Sequence, residues 1–225
     1  MDHQPRPGLR AQKNRRDRLI DLARGRPGWA LGFADEVWFS RLAPPALHAW
    51  AGDEGLRLVR HAAGRADPDP KALACYGLWL PGLPGLPGLL GLPAGERMLL
   101  RFVEGRPISA VTCAFLAWAA GRLAADGVRV LALIWDNASW HISHEVRDWI
   151  RTHNRDAKRT GHGCRLLVGR LPSRSPWLNP IEPKWAHGKR AVVEPARQLP
   201  AADLQQRLCA HYRCPLLPPL AQQVA

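Results

Sequence analysis

Short apolar runs of strand length, separated by polar segments bearing glycine and proline, set the pattern of this chain. Residues 29–39 (WALGFADEVWF) predict a strand that carries Asp35 near its end, and residues 56–61 (LRLVRH), just beyond Trp50, predict another. Residues 72–80 (ALACYGLWL) and 97–103 (RMLLRFV) read as two strands of a hairpin or meander. Between them, PGLPGLPGLLGLPAG has a three-residue rhythm, but it is too short and too leucine-rich for a collagen helix. It reads as a long hairpin loop whose apolar content leaves a partner contact open.

The second half alternates. Residues 109–125 predict a helix capped by Ser109 and ended near Asp126-Gly127. The following VRVLALIW is a continuous apolar run, as in a strand buried on both faces or a short buried helix; the preceding helix favours the strand. A helix at 143–153, a short strand in LLVGRLP and a helix at 179–192 complete the series, and 11–24 predicts one short helix near the start. Strands first, then alternating helix and strand, predict an α/β fold with a mixed sheet flanked by helices.

Composition narrows the partner. At 225 residues and 46% hydrophobic content, the chain can build one substantial core. A formal charge of +13 calls for a polyanion, with nucleic acid ahead of a membrane surface. The cations cluster: residues 151–190 hold ten Lys or Arg against two acidic residues, and residues 1–28 hold eight against three. Cysteines 75, 113, 164, 209 and 214 are odd in number and widely spaced. With no signal peptide visible, a reducing cytoplasm is the expectation. Every apolar run is broken before 18 residues, so no membrane span is expected.

Three carboxylates in differently built segments supply the candidate chemistry: Asp35, Asp136 and Glu182. Hard oxygen ligands hold Mg²⁺ while surrounding cations attract a phosphodiester, which points to a nuclease or strand-transfer core. Asp136 directly follows the apolar run, where α/β sheets gather their ligands, and this reading is favoured over one in which Asp136-Asn137 merely forms an Asx turn or caps the next helix. Asp35 and Glu36 are adjacent, so a strand turns them to opposite faces, and the residues alone leave open which one faces a metal. Asn179, Pro180 and Glu182 also form a capping-box pattern, a structural role that can coexist with metal binding.

His141 and His144, three apart at a helix start, could share a face. His141 could contact a phosphate or hold a carboxylate, while a surface or capping role suits His144 better. His153, His162 and Cys164 raise zinc, but their spacing matches no strong zinc pattern. Arg165, Arg170, Arg174, Lys184, Lys189 and Arg190 are the candidate phosphate contacts. Among the tryptophans, Trp135, Trp149, Trp177 and Trp185 are expected in the core or as buttresses, and Trp38 and Trp140 nearer the surface.

The segments LALIWDNASWHISHEVRDWI and LPSRSPWLNPIEPKWAHGKR, in this order, resemble the catalytic core of bacterial insertion-sequence transposases of the mariner-like superfamily. ADEVWFSRLAPPALHAW resembles the first-aspartate block of that family, and RMLLRFVEGRPISAVTCAFLAWAA resembles the middle of its domain more loosely. The resemblance covers roughly residues 29–195. It implies an RNase H-like fold and a DDE metal-binding triad of Asp35, Asp136 and Glu182. It also implies Asn137, His141 and Asn179 as supporting residues and two Mg²⁺ ions, with Mn²⁺ able to substitute.

The implied reaction is strand cleavage at transposon ends followed by strand transfer into target DNA. The implied partners are double-stranded DNA and a second copy in a homodimeric synaptic complex, acting in a bacterial cytoplasm at the nucleoid. Residues 1–28 are then a basic linker or remnant of an N-terminal DNA-binding region, and 196–225 a C-terminal tail or short helix. A DNA-binding partner or frameshift product could complete the chain. The spacing of Asp136 and Glu182 is longer than the family pattern, with 154–165 as the expected insertion. The alternatives are a catalytically inactive DNA-binding remnant and a zinc-dependent structural module.

Overall fold

A computed structural model describes residues 7–24, 26–42, 67–82, 96–172, 175–192 and 198–221. The strand predicted at 56–61, the Trp50 segment, residues 83–95 of the Pro-Gly-Leu loop and Arg174 lie outside the described residues. The elements run α1 (Pro7–Arg24), β1 (Trp29–Ser40), β2 (Ala72–Leu80), β3 (Arg97–Val103), α2 (Ser109–Ala125), β4 (Val130–Trp135), α3 (His144–Thr160), β5 (Arg165–Arg170), α4 (Glu182–Val192) and α5 (Ala201–His211).

The five strands form one mixed sheet in the order β3-β2-β1-β4-β5. β1, β2 and β3 are an antiparallel meander, whereas β4 and β5 run parallel to β1. Helices cover both faces, which is the α/β, RNase H-like arrangement expected. β4 is interior and buried along its whole length, so VLALIW carries no polar position.

Alternation along β1 divides the core in two. Ala30 and Ala34 face one cluster with Tyr76, Phe115 of α2 and Val146 of α3. Leu31, Phe33, Val37 and Phe39 face a second cluster with Ala23 of α1, Trp185 of α4 and Leu204 and Leu208 of α5. The 12-residue β1 is longer than its pairing with β4, which ends at Phe33↔Ile134; beyond that point it continues on β2 alone. Asp35 therefore sits mid-strand rather than near the strand's end, just past the point where β4 leaves the sheet.

Two helices differ from expectation at their ends. Ser109 is the first residue of α2, not its cap; Ile108 holds the cap position, and no side chain accepts a hydrogen bond there. α3 is capped as its sequence allows, with Ser143 accepting from the Val146 amide, and it runs to Thr160. Residues 154–160, expected within an insertion, are its last two turns. Gly161, in the left-handed region at φ 73°, ends it.

The two sheet edges are covered. The Asn154 side chain of α3 brackets edge strand β5, accepting from the Leu166 amide at 2.7 Å and donating to its carbonyl at 2.8 Å. At the other edge, Leu220 donates to the Phe102 carbonyl and accepts from the Glu104 amide. Arg41, buried at the end of β1, donates to the carbonyls of Leu199, Asp69 and Pro70 and pairs with Asp67 at 2.7 Å. The guanidinium beside Asp67 holds that carboxyl below its usual range.

Arg41 thus joins three chain segments through one buried charge. Arg41→Ala should lower unfolding stability by about 3 kcal/mol, because it orphans those acceptors, and should shift the denaturant midpoint without changing the slope.

Candidate active site

The candidate site lies where β4 ends and β1 continues. β1 sends Asp35 toward the face that α4 covers and Glu36 toward the face of α2 and α3. Asp136 directly follows β4, and Glu182 opens α4. All three predicted carboxylates are thus brought to one region from three elements. The carboxyl of Asp35 feels both of the others, as well as Glu36.

Each aspartate is held through one oxygen. Asp136 Oδ1 accepts from the Ala138 amide at 2.9 Å and lies 2.7 Å from His141 Nδ1. Asp35 Oδ2 accepts from the indole N–H of Trp185 at 3.1 Å. Trp185 reaches it by lying over Gly77, the residue paired with Asp35 across β1 and β2. A Cβ at Gly77 would overlap the indole ring. Gly188 opens room in the same way for Tyr212, whose hydroxyl donates to the Lys184 carbonyl at 2.8 Å and whose ring packs edge-on against Trp185.

His141 is the buried hinge of the other half. Its Nδ1 faces Asp136 and its Nε2 lies 2.7 Å from Glu36 Oε1, while its ring stacks on Trp135 at 4.3 Å, nearly parallel. The His141 side chain is 1% exposed and that of Glu36 8%. Glu36 was singled out by sequence only as the neighbour of Asp35, because nothing in a linear pattern shows that a residue 105 positions away would fill the other nitrogen. His141 precedes α3 and His144 is its exposed first residue, and both line one cleft at the end of β4.

The charges follow from these contacts. Burial is the main force raising the Asp35 carboxyl, to about 8; Glu36, Glu182 and Asp136 push the same way, and the Trp185 hydrogen bond opposes them. Burial alone would lower His141, but hydrogen bonds and the charges of Asp136 and Glu36 lift it to about 9. Burial also pushes Asp136 up, yet His141 and the Ala138 amide together hold it below its ordinary value. Both shifts favour the protonated form, Asp35 chiefly through burial and His141 through its contacts with Asp136 and Glu36.

The remaining predicted residues are scattered. Asn137 donates to the Leu171 carbonyl at 2.5 Å, joining the ends of β4 and β5. Asn179 does not use its side chain to cap α4; it donates to the Ala34 carbonyl at 3.2 Å, tying the approach to α4 onto β1. Arg170 ends β5 beside Trp135, but Arg165 begins β5 opposite Val130, roughly 17 Å away at about 3.3 Å per residue. Lys184 pairs with Glu96 and lies over the Trp79 ring, and Lys189 and Arg190 are exposed on α4.

Trp177, expected in the core, is 75% exposed on a 3₁₀ turn (Pro176–Leu178), and Trp38 is 48% exposed. Trp135 and Trp185 are buried as expected. His153 faces the Cys164 carbonyl and stacks on Trp149, so its role is structural.

Among the described residues, no three His, Cys, Asp or Glu side chains are gathered closely enough to hold a metal ion. Carboxyl oxygens are hard donors by type, and Asp35, Asp136 and Glu182 supply them from three elements within electrostatic reach of one another. Among the described residues, no helix is long and apolar enough to cross a membrane.

Residues 110–203 match the family model described as DDE superfamily endonuclease. That span includes Asp136 and Glu182 and excludes Asp35. No curated protein matches the chain in sequence. The fold is similar to that of the Mos1 transposase paired-end complex with left transposon end, with a TM-score of 0.63 and 15% identity over 96% of this chain and 57% of that one. The Mos1 mariner paired-end complex with Mn gives 0.57 and 17%, over 94% and 59%. The catalytic domain of Mos1 mariner transposase gives 0.52 and 15%, over 96% and 86%. The chain spans less than two thirds of the transposase in the paired-end complexes and most of the catalytic domain. Its fold is similar to that of the Mos1 transposase catalytic domain.

Two outcomes follow from the charges. Asp35 binds a proton in the native state between its unfolded value of 3.8 and about 8, so its contribution is present below that window and lost as pH rises through it. His141, raised from 6.5 to about 9, acts in the same direction. In EDTA, the melting temperature should therefore fall from pH 6 to pH 9, and Asp35→Asn should flatten part of that fall and raise the value at pH 8. Glu36→Ala leaves a buried imidazolium short of one partner and should cost about 3 kcal/mol in a denaturant titration.

Proposed function

We propose that this chain is the catalytic domain of a DDE-type transposase, of the bacterial insertion-sequence kind, that cleaves DNA strands at transposon ends and transfers them to target DNA. The observation that carries this reading is the convergence of Asp35, Asp136 and Glu182 from β1, the end of β4 and the start of α4, close enough that their charges interact. The DDE superfamily endonuclease match over two of the three, and the Mos1-like fold, support it. Residues 29–195 form the catalytic region in this reading. Residues 1–28, whose helix α1 packs on β1, β4 and β5, are then a basic linker or remnant of an N-terminal DNA-binding region, and 196–225 a C-terminal segment whose helix α5 packs on α4.

Asp35, Asp136 and Glu182 would hold divalent cations, Mg²⁺ or Mn²⁺ and two in number, which supply activation of the attacking oxygen and stabilisation of the departing one. A Mos1 complex contains Mn and another is described with Mg. The chain's own residues do the positioning. Trp185 orients Asp35 through Oδ2; His141 and the Ala138 amide fix Asp136 through Oδ1; Asn179 draws the start of α4 to β1. A proton on Asp35 would have to leave before the carboxylate could act as a full ligand, so cation binding and proton release would be coupled.

The substrate in this reading is double-stranded DNA. A second copy of the chain would bring two ends together, as the paired-end arrangement named for Mos1 implies. The reaction would take place at the bacterial nucleoid.

Purified protein with Mg²⁺ or Mn²⁺ should nick supercoiled plasmid, and Asp136→Asn or EDTA should reduce nicking to background. His141→Ala should cost about 10- to 100-fold, as expected when the group that orients a ligand is removed. Wild-type nicking that survives in Asp136→Asn would remove the basis of this assignment. A folded, DNA-bound chain that never nicks would favour the inactive DNA-binding remnant. Added Mg²⁺ should also release protons near pH 7 and raise the melting temperature more at pH 8 than at pH 6.

A further inference from the structure

A cleft of about 430 Å³ opens beside the candidate site, at the carboxyl ends of β4 and β5 and against the first turns of α3. Its floor is the stacked pair Trp135 and His141, and its walls carry Arg147, Arg151 and Arg170 with one acid, Asp148. We propose that this cleft holds the phosphodiester backbone of the DNA strand entering the Asp136 end of the site. The cationic path to the carboxylates then runs along α3 rather than across α4. The inference rests on the DNA-cleaving reading above and deepens it.

Charge and placement carry the argument. Three guanidinium groups face one carboxylate, so even with Asp148 paired to Arg151 the cleft keeps a net positive charge. A planar guanidinium matches phosphate oxygens through two parallel N–H bonds, which a scattered lysine surface does not do. Arg147 and Arg151 are one helical turn apart and share a face, with exposed Arg155 one turn farther along the same line. Arg147 is braced by its Nε donating to the Ser143 carbonyl at 3.3 Å. Arg170 is fixed by the β5 ladder opposite Trp135.

The cleft is also continuous with the chemistry. His141 lines it with the same ring whose Nδ1 lies against Asp136, so a phosphate seated there is one side chain from the candidate ligand. The α4 cations are placed less well. Lys184 is engaged by Glu96, and Lys189 and Arg190 lie seven and eight residues along the helix from Glu182. Arg165 is at the far end of its strand.

The test is the salt dependence of binding to a short labelled duplex, by fluorescence anisotropy of the full chain in EDTA, where no strand is cut. Each phosphate contact contributes about 0.9 to the slope of log K against log salt. Arg147→Gln with Arg151→Gln should lower the magnitude of that slope by about 1 to 2, whatever the duplex sequence, and Arg170→Gln alone by about 1. Lys189→Gln with Arg190→Gln should change it less. The substituted arginines are exposed, and an unchanged melting temperature verifies that each variant is folded.

An unchanged slope in the α3 double variant, or a larger loss in the α4 variant, overturns the proposal. If the wild type nicks plasmid and the α3 slope is unchanged, only the cleft assignment falls. If the slope drops as expected but no cation supports nicking, the cleft stands as a DNA site and the catalytic reading falls. A wild type that binds no duplex overturns both.

Discussion

Carboxylates gathered at the end of a sheet repel one another, and the architecture around this region answers that repulsion. Asp35, Glu36, Asp136 and Glu182 lie within electrostatic reach in a place where burial weakens the screening that water would provide. Strand alternation divides the problem, since Asp35 and Glu36 leave β1 on opposite faces. On the α3 face, His141 becomes an imidazolium shared by Glu36 and Asp136, and the Trp135 ring lies flat against it. On the α4 face the donor that meets Asp35 among the described residues is the neutral indole of Trp185. Burial pushes the Asp35 carboxyl toward the protonated form, and its orientation is kept by that neutral donor.

That asymmetry has a chemical meaning. A carboxylate locked to an arginine would be satisfied before any metal arrived, whereas one that is oriented but protonated remains available. The packing that orients it is built from small residues as much as large ones. Trp185 can lie across β2 because Gly77 lacks a side chain, and Tyr212 can brace it because Gly188 does too. Phe39 closes the indole from the strand side at 6.0 Å, edge to face. Helix α5 thus reaches the site indirectly, through Tyr212 at its end, although none of its own residues faces the carboxylates.

The sheet was legible in the sequence because its strands are short apolar runs with clear breaks, and β4 stood out as a run with no polar position at all. Of the carboxylates, Asp136 was legible in place as the residue directly after an apolar run, whereas Asp35 lies mid-strand and Glu182 opens a helix. Contacts between distant segments were not. The pairing of His141 with Glu36, the turning of Asn179 toward Ala34, and the exposure of Trp177 all depend on how elements meet, which spacing along a chain does not encode. Cap identity failed for a local reason: Ser109 is the right residue type, but the chain enters α2 one residue earlier, in extended conformation at Ile108. The basic residues were legible as a count and not as a surface. Arg165 and Arg170 belong to one short strand yet stand at opposite ends of it.

A chain with a formal charge of +13 around an acidic centre faces a conflict, since the centre repels the polyanion that the surface attracts. The arrangement resolves it by distance. The acidic groups lie at the sheet's end, three of them tied to neutral or cationic donors, while arginines stand forward on α3 and at the tip of β5. Coulomb attraction falls slowly with distance at a surface exposed to water, and hydrogen bonding acts only in contact. In the proposed reading a nucleic-acid backbone would be drawn in by the rim before it meets the repulsion within, and a divalent cation held by the carboxylates would offset that repulsion. On that reading the cationic rim and the carboxylate centre would act in sequence, with attraction at range first and contact at the carboxylates after it.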